Sequence, residues 1–72
     1  MQSEIEASIA AALDAQRVLV MIDGNRATIE VVSAQFEGMN RVQRQQAVYA
    51  CIGDYITDGR LHAVTIKADT PT

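Results

Sequence analysis

The strongest constraint on the fold is a long helical pattern between two strand-like runs. Its apolar residues recur at helical spacing, at Val48, Ile52, Tyr55 and Ile56. Asn40 is a suitable N-cap, because its side-chain oxygen can accept a hydrogen bond from a free amide at the helix start. The Asp58-Gly59 step predicts the helix end, since glycine tolerates the left-handed backbone common there. A strand–helix–strand connection of this kind is nearly always right-handed and makes the flanking strands parallel.

The first half of the chain predicts a helix followed by a β-hairpin. Residues 1–15 are alanine-rich and place four apolar side chains on one face, at Ile5, Ile9, Ala12 and Leu13. Ser3 and Glu6 have the spacing of a reciprocal capping box. The runs 17–22 and 27–33 are rich in branched residues and predict strands, and alternation places Ala27, Ile29 and Val31 on one face of the second. The Asp23-Gly24 step between them is typical of a tight hairpin turn.

The last predicted strand is Leu61 to Lys67. Alternation places His62, Val64 and Ile66 on one face of it, opposite the face of Leu61, Ala63, Thr65 and Lys67. We expect residues 68–72 to fray. The sequence therefore predicts an α+β fold of order α-β-β-α-β, with a three-stranded mixed sheet and both helices on one face, as a single domain over residues 1–72.

Composition limits the function classes. A hydrophobic fraction of 49% with 21% charged residues is typical of a globular domain, and no apolar run is long enough to span a membrane. The start of the chain lacks the pattern of a signal peptide, and a single cysteine fits a reducing compartment, so we expect a cytoplasmic protein. The net charge of -3 means that nucleic-acid binding would depend on a local basic patch.

The run from Phe36 to Pro71 carries a specific combination of residues. It reads FEGMNRVQRQQAVYACIGDYITDGRLHAVTIKADTP. Its distinctive positions are Phe36, Gly38, Arg41, Val42, Val48-Tyr49-Ala50, Leu61-His62-Ala63 and Ile66-Lys67. This combination resembles the BolA family, and the Gln45-Gln46 pair is closest to its acid-stress, IbaG-type branch. The resemblance extends over residues 3–71.

The resemblance implies both a fold and a function. The implied fold is BolA-like, similar to class II KH domains. The implied function is that of an adaptor, a partner of monothiol glutaredoxins in iron-sulfur cluster trafficking or in iron and stress regulation. A role in transcriptional regulation is attached to the family as well.

The resemblance also implies a metal ligand. By position, the family's cluster-ligating histidine falls on His62, which would bind a [2Fe-2S] cluster shared with the glutaredoxin and glutathione. The family's second ligand falls in the hairpin loop, residues 23–26, where IbaG-type proteins carry histidine and this chain has Arg26. A guanidinium group has no acceptor lone pair and cannot bind iron. His62 is therefore the single predicted ligand of this chain, and the partner must supply the thiolates.

Each candidate residue also has a structural interpretation. Without the resemblance, His62 is better explained as a half-buried strand histidine, since metal sites normally need three or four converging ligands. Arg41 and Arg44, with Lys67 nearby, are candidates for contacting phosphates or an acidic partner, and a solvated first helical turn explains them equally well. Cys51 lies between apolar helix positions and is better interpreted as a core residue than as a reactive thiol.

Three function classes remain, and none is an enzyme, because no nucleophile–base pair or paired catalytic carboxylates can be assembled around one histidine. The first class is the glutaredoxin-binding adaptor, a monomer or weak homodimer when alone. The second is a KH-like regulator that binds DNA or RNA through its arginines. The segment from Gly38 to Arg41 lacks the two glycines of the KH backbone clamp, which disfavours this class. The third is a protein-binding module that never contacts metal.

Overall fold

A computed structural model describes residues 1–71 of the chain. The elements are α1 (Gln2–Leu13), β1 (Arg17–Asp23), β2 (Arg26–Val32), a short 3-10 helix (Ala34–Phe36), α2 (Arg41–Thr57) and β3 (Ala63–Asp69). The predicted α-β-β-α-β order is confirmed.

The three strands form one sheet in the order β1-β2-β3. β1 and β2 are antiparallel, and β2 and β3 are parallel, so the predicted mixed sheet is confirmed. The hairpin closes at the Asp23↔Arg26 pair through the two-residue loop Gly24-Asn25. Gly24 has a φ of 60°, which explains why this position takes glycine. The hairpin and the α2 crossover leave β1 and β3 as the two edge strands.

The core lies between one face of the sheet and both helices. The residues that form it are Ile5, Ile9, Leu13, Val20, Ala27, Ile29, Val31, Phe36, Val48, Ile52 and Leu61. α1 packs on β1 and α2 packs on β3, and the helices also contact each other. The alternation predicted for β2 is confirmed: Ala27, Ile29 and Val31 are buried, whereas the intervening side chains are exposed or half-buried.

One polar side chain is fully buried in this core. Ser33, at the end of β2, donates a hydrogen bond to the Leu13 carbonyl at 2.6 Å and accepts one from the Gln35 amide at 3.1 Å. The hydroxyl thus joins the end of α1 to the start of the 3-10 helix. Its two bonds offset the cost of removing a polar group from water.

The start of α1 differs from the prediction. The N-cap is Met1, which makes no side-chain capping bond, and Ser3 lies inside the helix, so the Ser3–Glu6 capping box is wrong. α1 ends at Leu13, and Asp14 adopts the left-handed conformation with a φ of 46°. Ala12 is exposed, so the buried stripe consists of Ile5, Ile9 and Leu13.

The start of α2 confirms Asn40 as the N-cap. Its side-chain oxygen accepts a hydrogen bond from the Gln43 amide at 2.8 Å, and the Gln43 side chain accepts one from the Asn40 amide at 3.0 Å. Val48 and Ile52 are buried along the predicted stripe, Tyr55 is half-buried and Ile56 is exposed. The helix ends before Gly59, whose φ is 82°.

We expect Asn40→Ala to destabilise the protein by about 1 kcal/mol, because the side-chain bond to the Gln43 amide is lost and that helix amide is left to water. Urea unfolding followed by circular dichroism measures this change. Gln46→Ala is the matched control, since Gln46 is exposed on the same helix and makes no capping bond. An equal effect of the two substitutions would show that the cap contributes nothing.

β3 begins and ends two residues later than predicted. It covers Ala63–Asp69, so Ala68 and Asp69 are paired with β2 and do not fray. Thr72 lies outside the described residues. The Ser33 amide donates to the Asp69 carbonyl at 3.0 Å, which extends the pairing to the end of β2.

Candidate metal-ligand and partner-binding sites

His62 lies immediately before β3 with an exposed side chain. Its backbone amide donates to the carbonyl of Asn25 at 2.7 Å, and the next amide, of Ala63, approaches the same oxygen at 3.4 Å. Asn25 belongs to the hairpin loop. The segment between α2 and β3 is therefore hydrogen-bonded to the hairpin loop at His62. This bond fixes the backbone of His62, and the imidazole ring is exposed to solvent.

The exposure of His62 follows from the residues around it. Leu61 is buried in the core, and its amide donates to the Tyr55 carbonyl at 3.0 Å near the end of α2. β3 begins only at Ala63, so the prediction that His62 lies in this strand beside Val64 and Ile66 is wrong. Those two side chains are half-buried against the helices, whereas His62 precedes the covered part of the sheet.

The hairpin loop and His62 lie next to each other, because β2 and β3 are paired. In the parallel register, Arg26 pairs with Ala63, one residue after the histidine. Arg26 is exposed and cannot act as a ligand. Within residues 1–71, no group of three His, Cys, Asp or Glu side chains is close enough to hold a metal ion. Of the two positions that the resemblance assigns as ligands, 26 and 62, His62 alone carries a donor group.

Cys51 does not add a donor to this site. It is half-buried on α2 against the core, and its sulfur lies 3.5 Å from the Ala47 carbonyl one turn earlier. Burial raises the pKa of the Cys51 thiol, so its protonated form is favoured, and only the thiolate is a good nucleophile or metal ligand.

Arg41, Arg44 and Lys67 converge at the opposite end of β3. They line a groove of about 440 Å³ between the start of α2 and the end of β3, together with Met39, Gln45, Ile66, Ala68 and Asp69. We call this the basic groove. Arg41 and Lys67 are exposed, and Arg44 is half-buried. The sequence prediction that Lys67 lies near the two arginines agrees with this placement.

Arg44 is held in place within the basic groove. Its Nε donates to the Met39 carbonyl at 3.1 Å and its Nη1 to the Ala68 carbonyl at 3.4 Å. The guanidinium therefore joins the turn before α2 to the outer edge of β3. Arg41 and Lys67 remain as the exposed cations of the groove.

Sequence reasoning missed a structured arginine near His62. The guanidinium of Arg60 lies 4.1 Å from the centre of the Tyr55 ring, and its Nε donates to the Asp58 carboxylate at 2.7 Å. Asp58 also accepts a bond from the Arg60 amide at 3.1 Å. The signal in the sequence was the Asp58-Gly59-Arg60 turn, in which the carboxylate bonds the backbone two residues on. These contacts order the loop that leads to His62.

Comparison with known proteins identifies the family. The BolA-like protein family model matches residues 9–72. The chain belongs to the BolA family. The acid stress protein IbaG of Escherichia coli K12 is 45% identical to this BolA protein over 69 residues, which cover 96% of the chain and 82% of that relative. The predicted similarity to the IbaG-type branch is confirmed.

Solved structures of BolA proteins confirm the fold. BolA1 from Arabidopsis thaliana has a TM-score of 0.88 at 27% identity, covering 97% of this chain and 90% of its own. The BolA domain of SufE1 from Arabidopsis thaliana has a TM-score of 0.87 at 28% identity, covering 97% of this chain and 91% of that one. Among residues 1–71 of this BolA protein, no helix has the length and apolar character to cross a membrane.

Proposed function

We propose that this BolA protein is an adaptor that binds a monothiol glutaredoxin in the cytoplasm and supplies His62 as one ligand of a [2Fe-2S] cluster. Glutaredoxin and glutathione supply the remaining ligands. The observation that carries the proposal is the exposed imidazole beside the hairpin loop, on a backbone fixed by the 2.7 Å bond to Asn25. In this role the protein performs no catalysis, and the cluster is its cargo.

The chemistry of one imidazole suits such sharing. A neutral imidazole binds iron through one nitrogen, and histidine in place of cysteine raises the reduction potential of a cluster. The fold holds His62 in an exposed position. The contacts of Arg60 with Tyr55 and Asp58 order the loop that precedes it. With its only thiol half-buried and protonated, the chain depends on its partner for sulfur ligands.

The test mixes the protein with a monothiol glutaredoxin, ferric iron, a sulfide source and glutathione without oxygen. We expect a coloured heterocomplex whose visible absorption and circular dichroism differ from those of the glutaredoxin cluster alone. His62→Ala removes the ligand and should remove this difference, whereas His62→Cys supplies a thiolate and should give a third spectrum.

Thr65→Ala is the matched control for this experiment. Thr65 is exposed in the middle of β3 and is not one of the proposed ligands. Its replacement should therefore leave the spectrum unchanged. If the heterocomplex forms with the same spectrum in His62→Ala, and also forms without iron, the protein is a binding module that does not touch metal.

A nucleic-acid-binding regulator is the second candidate. The observation that favours it is the convergence of Arg41, Arg44 and Lys67 in the basic groove. This function predicts binding to DNA or RNA that weakens with salt and is reduced in Arg44→Ala, with no dependence on His62.

A further inference from the structure

We propose that the basic groove binds an extended acidic segment of a partner protein, which adds to the outer edge of β3. This site is separate from His62. His62 and Ala68, which lines the basic groove, are six residues apart along the chain, which corresponds to roughly 20 Å in an extended strand. The proposal concerns a second contact surface and does not depend on a cluster.

The backbone of β3 offers unused hydrogen-bonding groups on its outer side. In a strand, the amide and carbonyl groups of successive residues point to alternate edges. The Ala63 amide approaches the Asn25 carbonyl, and the Asp69 carbonyl accepts from Ser33, so the odd-numbered residues face β2. The groups of Val64, Ile66 and Ala68 therefore face outward, where no further strand lies in the part of the chain that the structure describes.

Two side chains of α2 cover this edge only partly. Tyr49 donates its hydroxyl to the Val64 carbonyl at 3.5 Å, and Arg44 donates to the Ala68 carbonyl at 3.4 Å. Both distances are at the long end for hydrogen bonds, so both bonds are weak. The peptide groups of Ile66 lie between the two covered positions. An incoming strand can pair with these groups while displacing only the weak side-chain bonds of Tyr49 and Arg44.

The charges around the edge select an acidic ligand. Arg41 and Lys67 are exposed on the rim, and Asp69 is the one acidic residue that lines the groove. A carboxylate also offers Arg44 a charge-assisted bond that is stronger than its long bond to a neutral carbonyl. The lining includes the apolar side chains of Met39 and Ile66, which suit the alternate apolar side chains of an added strand.

The same features disfavour nucleic acid as the occupant. The groove lining contains no aromatic side chain on which a base could stack. The whole chain carries a net charge of -3, which repels a polyanion outside the groove.

A fluorescent seven-residue peptide of alternating valine and glutamate tests the proposal, with binding followed by fluorescence anisotropy. We expect Arg41→Ala and Lys67→Ala each to weaken binding about 3- to 10-fold, in the range of a lost charge-assisted contact. Arg26→Ala makes the same charge change at the hairpin end of the sheet and should weaken binding less than twofold. His62→Ala should leave binding unchanged, which separates this site from the cluster site.

Two further probes test the mode of binding. A peptide with alternate backbone amides methylated cannot pair as a strand and should lose most of its affinity. In spectra of isotope-labelled protein, the unmethylated peptide should shift the amides of Ile66 and Ala68. Strand addition is overturned if the methylated peptide binds equally well or if those amides do not move. The acidic ligand is overturned if the peptide fails to bind at millimolar concentration, or if single-stranded DNA binds more tightly and loses affinity in Arg41→Ala.

Discussion

Replacing Phe36 with alanine is expected to lower the free energy of unfolding by about 3–5 kcal/mol. The Phe36 side chain is fully buried and lies in the short 3-10 helix between the sheet and α2. Its truncation removes a large apolar surface from the core and leaves a cavity that a rigid neighbourhood cannot fill. At roughly 0.05–0.15 kcal/mol per residue, a domain of this length has about 4–11 kcal/mol of total stability, so a large share is lost.

The position of Phe36 in the chain increases the expected effect. Its amide donates to the Ser33 carbonyl at 3.2 Å, and its carbonyl accepts from the Met39 amide at 3.0 Å. These backbone bonds hold the turn that directs the chain towards Asn40 and the start of α2, and the buried ring anchors that turn to the core. A cavity at this point also loosens the segment that carries the basic groove.

Urea unfolding of Phe36→Ala, followed by circular dichroism, measures the loss. Val42→Ala is the control, because Val42 is 62% exposed and alanine is the better helix former. We expect it to change stability by less than about 0.5 kcal/mol, as is usual for surface substitutions. A loss below about 1 kcal/mol in Phe36→Ala would contradict the assignment of this ring to the core.

Arg26→His is expected to increase the lifetime of a shared cluster by about tenfold or more, provided that His62 is present. This prediction depends on the proposed function. In the parallel register position 26 pairs with Ala63, so a histidine introduced there lies one register step from the proposed ligand His62. Once His62 is bound, the second bond forms within one complex, and its high effective concentration slows cluster release.

A double-mutant cycle distinguishes chelation from a change in charge. Cluster loss to a chelator is measured for the parent protein, Arg26→His, His62→Ala and the combined variant. We expect the gain from Arg26→His to disappear in the His62→Ala background. Arg26→Gln is the control, since it removes the positive charge without adding a ligand. An equal gain in Arg26→Gln would attribute the effect to electrostatics.

The predictions that held rest on local physics. Asn40 is an N-cap because its short side chain reaches the Gln43 amide. The Asp23-Gly24 step makes a hairpin because Gly24 needs a positive φ. The alternation of β2 and the spacing of Val48 and Ile52 follow from the periods of strand and helix, which tertiary contacts here reinforce. The family resemblance supplied the proposed function, which these local patterns alone do not contain.

The predictions that failed are those that required the exact first residue of a helix or strand. Ser3 matched a capping box, but the helix already begins at Gln2, which places that side chain inside it. His62 matched a strand pattern, but the burial of Leu61 beneath the end of α2 delays the strand to Ala63. The side-chain bonds of Ser33 and Arg44 join segments far apart in the sequence, so no local pattern reveals them.

In the proposed role, the backbone bond between His62 and Asn25 links cluster binding to folding. The two residues are far apart in the sequence, and their contact forms only when the crossover has closed onto the hairpin. A chain that is still being synthesised or refolding has its histidine on a mobile tether, where one weak donor cannot compete for metal. If the proposed function holds, the protein is therefore able to bind a cluster only after its tertiary structure has formed.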